Sequence, residues 1–440
     1  MNTHNLLKDY QGLTDYPTIA TATAKFAKAN PTLTEDEVLA WVAETFTPST
    51  KATMQATVAP LAVYGESLID PLAFEQMYQV LRIPVAVCGA LMPDAHKGYA
   101  MPIGGVAVLK DAVSPSFVGY DISCMMAASF YSIRPDDFEA VRDQLAQILR
   151  SVTSFGKGAA TPAAQGDFSA AIMDDPRWNE TAILRSLKSQ AQAQLGSSGG
   201  GNHFADLMVV NWKNGRDADI ALLTHSGSRG TGHRVATHYV EIAKRETARI
   251  AKGIPDGYEW LDTRSEAGQE YFSAMELMGD YALANHSCIH AAFSEAIRVR
   301  AEHFTWNRHN FAWQSPEGEI VHRKGATPAD LGQIGIIPGS SGTPSYIVSG
   351  KGNADSINSA SHGAGRPFSR TEAKRRHDAA FVNDWMTTND ILTFGLAPDE
   401  TLMAYKDIDA VMAAQTDLVE IVATMTPRVV IMGGQSDDGD

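Results

Sequence analysis

The stretch IPVAVCGALMPDAHKGYAMPIGGVAVL, residues 83–109, sets the texture of the chain. An apolar run, Ile83 to Ala90, fits a buried strand. Met92-Pro93-Asp94-Ala95-His96-Lys97-Gly98-Tyr99 reads as a loop carrying an acid and a histidine. Gly104 to Leu109 then reads as a second strand. The same alternation recurs downstream: Ala127 to Ile133, Leu207 to Asn211 and Ile220 to Leu223 read as strands. Asp136 to Val152, Thr181 to Leu195, Gly232 to Lys252 and Glu266 to Arg300 carry helical periodicity. Ser315-Pro316-Glu317-Gly318 between apolar flanks predicts a hairpin turn. Asp407 to Thr424 is expected to be helical, with a short strand from Arg428 to Met432. The fold class is therefore α/β, mixed α+β, with central β-sheets flanked by helices. Residues 1–60 read as a helical N-terminal addition, in which Thr34 and Glu37 form a capping box. Residues 61–434 are the expected catalytic domain and 435–440 an acidic tail.

With 440 residues and 44% hydrophobic content, the chain can bury a sizeable core. A net charge of −15 argues against a general electrostatic grip on nucleic acid, so such a substrate needs a local basic site. Cys88, Cys124 and Cys288 form no disulfide framework or CxxC pair, which favours a reducing compartment. A signal pattern and an 18-residue apolar run are both missing, so a cytoplasmic protein without a membrane partner is expected.

Glycine-flanked loops at strand ends carry the chemistry. Asp121 and Cys124, in Gly119-Tyr120-Asp121-Ile122-Ser123-Cys124, set a hard carboxylate three residues from a soft thiolate that can bridge two metals. A lone cysteine is more often a small buried hydrophobe. His203 follows three glycines in Gly199-Gly200-Gly201-Asn202-His203-Phe204, with Asp206 beyond. His225 and Arg229 share HSGSRG, and His322 heads HRKGAT. Three imidazoles, a carboxylate and a thiolate on such loops suit manganese, zinc, iron or cobalt better than magnesium. Ile337 to Tyr346, with Pro338, Gly339, Ser340, Ser341 and Ser345, offers small residues and backbone amides for a phosphate. It lacks the Gly-Lys-Ser/Thr of a Walker A loop. In His362-Gly363-Ala364-Gly365-Arg366 the glycines leave an imidazole approachable, and the arginine fork suits a phosphate. Arg366, Arg370, Lys374, Arg375 and Arg376 form a basic stripe within the acidic whole.

Taken in order from about Tyr64 to Gly433, MPDAHKGYAMPIGGVA, VGYDISC, QLGSSGGGNHF, HSGSRGTGH, VHRKGAT, IPGSSGTPSY, SHGAGRPFSR and AYKDID resemble the RtcB family of RNA-splicing ligases. The resemblance implies an RtcB-like fold and a ligase dependent on GTP and on two Mn2+ ions. Its substrates would be RNA 3′-phosphate or 2′,3′-cyclic phosphate ends and 5′-hydroxyl ends, in RNA repair or tRNA splicing, with an activating protein left open. It implies that His362 becomes guanylylated and that Asp94 is a carboxylate needed for activity. Asp121, Cys124 and His203 would hold one metal; Cys124, His225 and His322 would hold the second. Asn202, His203, Phe204, Asp206, His322, Arg323, Pro338, Gly339, Ser340, Ser341, Ser345, His362, Gly363, Ala364 and Gly365 would contact the guanylate. Tyr405 would stack on its base, and Arg229 and Arg366 would hold RNA phosphates. The chain departs from the family pattern where Met432 stands at a lysine position, Asp206 at a glutamate, and Ser123 and Met125 at Asn and Gly. Met432 keeps alive a dinuclear phosphoesterase that processes RNA ends without joining them. A non-catalytic RNA-repair binding protein is the third alternative.

Overall fold

The computed structural model describes residues 6–7, 16–45, 51–156, 171–216, 219–315, 317–376 and 379–434. Two sheets organise the body. The first has five strands in the order Leu61–Val63, Ala86–His96, Ile103–Lys110, Glu319–Lys324, Asn310–Gln314, antiparallel except for the first pair. The second runs Ile334–Ile337, Ser345–Gly350, Val419–Met432, Phe204–Trp212, Asp219–Ser226, Met125–Tyr131, His303–Arg308, with Leu392–Phe394 lying parallel to Val419–Met432. Its two ends nearly meet. The Asn307 side chain donates to the Ile336 carbonyl at 3.3 Å and accepts from the Ile336 N–H at 2.8 Å, which satisfies edge groups that a third strand would otherwise take.

The helices Ala182–Gln194, Arg229–Ile250 and Glu266–Ile297 bring Leu184, Leu187, Val235, Tyr239, Tyr271, Met275 and Met278 into one core. Side-chain caps from Thr181 and Ser265 start two of them, taking the otherwise orphaned N–H groups of Leu184 and Gly268. The helices agree with the apolar periodicity to within a few residues, because the buried stripe that defines each one is continuous.

Two expectations about the strands are corrected. Met92 to His96 is strand, not loop: Ala86–His96 continues beside Ile103–Lys110 through a register shift between Leu91 and His96. Asp94 is therefore fixed on a sheet. In the C-terminal segment the helix stops at Ala413 and a 14-residue strand, Val419–Met432, begins. Its β-branched run pairs with Ser345–Gly350 on one side and Phe204–Trp212 on the other, and central-strand burial outweighs local helical pattern. The hairpin joining Asn310–Gln314 to Glu319–Lys324 forms, with Ser315 N–H donating to the Glu319 carbonyl at 2.7 Å. Pro316 and the acidic tail lie outside the described residues.

Helices Tyr16–Ala29 and Glu35–Thr45 fill part of the N-terminal segment, and Thr34 and Glu37 exchange the capping-box hydrogen bonds. Residues 51–60 are not helical. They run along the body, where Ala52 bridges Ala251 and Gln55 N–H donates to the Arg82 carbonyl. Among the described residues no helix is long and apolar enough to cross a membrane.

Candidate active site

Antiparallel register brings the reactive strand ends into one row. Met125 pairs with Ser226 and Arg308, and Phe204 pairs with His225, so Cys124, His203, His225 and His309 are neighbours in space. Cys124 Sγ lies 3.1 Å from His225 Nε2 and 3.6 Å from His203 Nε2. His203 Nε2 is also 3.0 Å from Asp121 Oδ2, and His225 Nε2 is 3.3 Å from His309 Nε2. Two donor groups result, Asp121–Cys124–His203 and Cys124–His225–His309, each with its ligand atoms within 4.8 Å of one another and with the thiol in common.

The donor set fits a pair of transition-metal ions. His225 Nδ1 lies 3.0 Å from the Asn202 carbonyl, an acceptor only, so the proton sits on Nδ1 and the Nε2 lone pair faces Cys124 and His309. Burial pushes His225 down to about 3 and His309 well below its ordinary value, the latter helped by His362 and His225 nearby. Both rings are thus neutral and could serve as ligands. Burial alone would raise the Asp121 carboxyl, but the His203 hydrogen bond holds it below the usual range. Convergent lone pairs in a buried pocket repel one another unless a cation sits between them. Two glycines permit this crowding: a Cβ on Gly199 would stand 1.8 Å from His203 Nδ1, and one on Gly227 would stand 2.0 Å from Asp121 Oδ1.

His362 lies beside this cluster, its ring 5.1 Å from that of His309. Its Nδ1 is 2.6 Å from Asp94 Oδ2, and the same oxygen accepts from the backbone N–H groups of His362 and Gly363. Burial would raise the Asp94 carboxyl, but His362 and then Lys406 hold it below the usual range. An ionised carboxylate only accepts, so Nδ1 carries a proton, and in the neutral ring the lone pair lies on Nε2. Asp94 itself is buried and does not line the cavity; it positions the histidine.

A cavity of about 1460 Å³ unites these groups with most of the residues singled out in the sequence. Asn202, Phe204, Asp206, Arg229, Pro338, Gly339, Ser340, Ser341, Ser345, Gly363, Ala364, Gly365, Arg366 and Tyr405 line it alongside Asp121, Cys124, His203, His225 and His362. His322 and Arg323 do not. His322 Nε2 accepts from the Ser114 N–H at 3.0 Å, away from Cys124, and the position expected of it is taken by His309. Arg323 points to the opposite face of its strand, donating to Ser359 Oγ and the Ile357 and Asn358 carbonyls with its guanidinium over Trp313. On the other face, the next in-facing residue after His322 is Lys324, which does line the cavity and which the sequence reading passed over.

His309 was missed because His-Asn between two apolar strands carries no glycine signature. It is presented by a one-residue link between two strands of different sheets, which only the strand pairing reveals. Glu400 was missed too. It receives Arg366 at 2.7 Å, Arg370 and the Tyr405 hydroxyl, and the Arg366 guanidinium covers one face of the Tyr405 ring at 4.7 Å. Arg366 is therefore half-neutralised by an internal carboxylate, where the sequence suggested an open phosphate anchor.

The remaining wall is apolar. Asp206 pairs in register with Val430, and Phe204 with Met432; Met208, Val430 and Met432 line the cavity with them. Asp206 Oδ1 accepts from the Ile431 N–H at 3.1 Å. Burial pushes its carboxyl well above the ordinary value, and no ion pair to it exists among the described residues.

A family model described as tRNA-splicing ligase RtcB matches residues 76–433. The RNA-splicing ligase RtcB of Escherichia coli strain K12 is 32% identical, over 85% of this chain and 98% of its own length. The tRNA-splicing ligase RtcB of Thermococcus kodakarensis is 27% identical over 84% of this chain and 92% of its own. The RNA-splicing ligase RtcB of Mycobacterium bovis is 28% identical over 81% of this chain and all of its own.

Proposed function

The chain belongs to the RtcB family of RNA-splicing ligases, and on that premise we propose that it joins RNA ends through a nucleotide carried on His362. The RNA ends would be a 3′-phosphate or 2′,3′-cyclic phosphate and a 5′-hydroxyl, with GTP as the nucleotide and manganese as the metal. The observation that carries the reading is the pairing of His362 Nδ1 with Asp94, which leaves Nε2 as a nucleophile inside the cavity that holds both donor groups.

His362 Nε2 attacks the α-phosphorus of the nucleotide, pyrophosphate leaves, and a phosphoramidate forms. An RNA 3′-phosphate oxygen then attacks that phosphorus and frees the histidine. The 5′-hydroxyl attacks the activated 3′-phosphate, and the nucleoside monophosphate leaves. Asp94 holds the imidazole in the reactive tautomer and offsets the positive charge that develops on the ring. Asp121, Cys124, His203, His225 and His309 would hold two metals, which when bound supply electrostatic stabilisation of phosphate oxygens. Pro338 to Ser341 and Gly363 to Gly365 line the cavity, and the N–H groups of Ser341, Ala364 and Gly365 are the ones offered to the nucleotide phosphates. Arg229, buried at the start of its helix, lines the same cavity while donating to Ser197 Oγ and the Gly156 carbonyl, and would supply positive charge to a bound anion.

Incubation with manganese and α-labelled GTP should leave label on the protein, and His362→Ala should leave none. Absence of label with every nucleoside triphosphate and divalent metal tried would sink the proposal. Met432 favours one second reading, an end-processing phosphoesterase: a family lysine contact is replaced by an apolar side chain. That reading predicts opened cyclic phosphates without joined products.

A further inference from the structure

Outside the metal cluster and the nucleotide loops, the mouth of the cavity carries an unusual surface. Tyr99 is 65% exposed and Tyr120 36% exposed, yet both line the cavity. Their rings meet edge to face at 6.0 Å, and Tyr120 stacks on His233 at 5.1 Å with 28° between planes. Lys324 Nζ lies 5.8 Å from the Tyr99 ring centre. Lys97, Lys244 and Arg229 also line the cavity, and Asp70 and Asp256 are the acids on this side. Lys244 pairs with Asp256 at 2.9 Å, and Asp70 Oδ2 accepts from the Lys97 backbone N–H.

These rings are tied to the reactive centre by the chain itself. Tyr120 immediately precedes Asp121 of the first donor group. His233 follows Arg229 by one helical turn, so both sit on the same face of the helix Arg229–Ile250. An anion held between Asp121's metal group and Arg229 would thus have an aromatic shelf within one nucleotide's reach. Resting on the RNA-ligase reading, we propose that Tyr99, Tyr120 and His233 form a stacking platform for the terminal base of the phosphate-bearing RNA strand. Every base has a π-face, so such a platform grips an end without reading its sequence. It also supplies the local affinity that an acidic protein cannot obtain from net charge.

Fluorescence anisotropy with two single-stranded RNA probes tests this: one ends in a normal 3′-phosphorylated nucleotide, the other lacks only the terminal base. The wild-type protein should bind the first about five- to a hundredfold more tightly. Tyr120→Leu should abolish most of that difference, and Tyr120→Trp should restore it. Tyr99→Leu, at the more exposed position, should reduce the difference partially and serves if Tyr120→Leu does not fold. Equal binding of both probes by the wild-type protein would overturn the proposal, as would an undiminished preference in both leucine variants. The assay needs no nucleotide or joining. Label uptake by His362 on the same preparations decides the ligase reading separately.

Discussion

On one wall of the cavity, Asp121, Cys124, His203, His225 and His309 crowd together, with His362 and its carboxylate partner alongside. On the other, a lone Asp206 sits among Phe204, Met208, Val430 and Met432. Both walls are buried, so desolvation acts on each. On the first it keeps the His225 and His309 imidazoles neutral, with lone pairs available to a cation. On the second it pushes the Asp206 carboxyl well above its ordinary value, with no ion pair to it among the described residues. The contrast teaches that burial drives these groups toward their neutral forms, and that only partners within hydrogen-bond reach, as at Asp121 and Asp94, reverse it.

The largest expected effect separates the two histidines that exchanged roles. His309→Ala should lower joining by more than about a hundredfold, since even partners of metal ligands are worth ten- to a hundredfold. It should also lower bound metal per chain. His322→Ala, which removes an acceptor from the Ser114 N–H, should lower thermal stability while the metal content holds. Metal analysis showing the reverse pattern would restore His322 to the ligand set.

Asp94→Asn comes next. It keeps an acceptor for His362 Nδ1 and loses the charge, so label uptake should fall by about ten- to a hundredfold. The folded Asp94 carboxyl is depressed, so its contribution is present above its ordinary value near 4 and is lost only as pH falls through the lower folded value. An activity loss nearer pH 6 in the wild-type protein would therefore have to come from another group.

Met432→Lys sharpens the comparison by giving the apolar wall the charge it lacks. Its stem can follow the apolar surface while the ammonium reaches Asp206. Nucleotide binding, measured by titration calorimetry, should tighten by about tenfold, the scale of a hydrogen bond to a charged group. No gain would place the nucleotide elsewhere.

The smallest effect is on stability. Asp206 has a raised folded value, so the folded protein holds a proton there that the unfolded chain releases above about 4. Its contribution is full at low pH and is lost as pH rises toward the folded value. Asp206→Asn removes that dependence, so its melting temperature should rise relative to wild type as pH increases from 4 to 8. Parallel melting curves would show that Asp206 ionises freely.

Legibility differed between the walls for a physical reason. Residues on glycine-flanked loops announced themselves, because glycine clusters mark close approach: Gly199 and Gly227 do stand where a Cβ would strike His203 and Asp121. His309 and Glu400 gave no such signal. The first sits between two strands, and the second sits in a short turn, where an acid looks like any solvated residue until Arg366, Arg370 and Tyr405 are found around it. His322 carried the right residue type and the right flanking pattern, but its place two residues back along the strand from Lys324 takes it out of the cavity.

By itself, the sequence determined the mixed helix-and-sheet class, the helices with continuous apolar stripes, the ordered motifs of the family, and His362 together with four of the five donor residues that the structure brings together. Those are properties of local pattern and residue type. Only the tertiary structure decided that His309 joins the cluster, that Asp94 is a strand residue aimed at His362, that Val419–Met432 is a central strand, and that Asp206 has no ion pair among the described residues. Each of these depends on strand register, and register is a relation between distant segments that no single stretch of sequence contains.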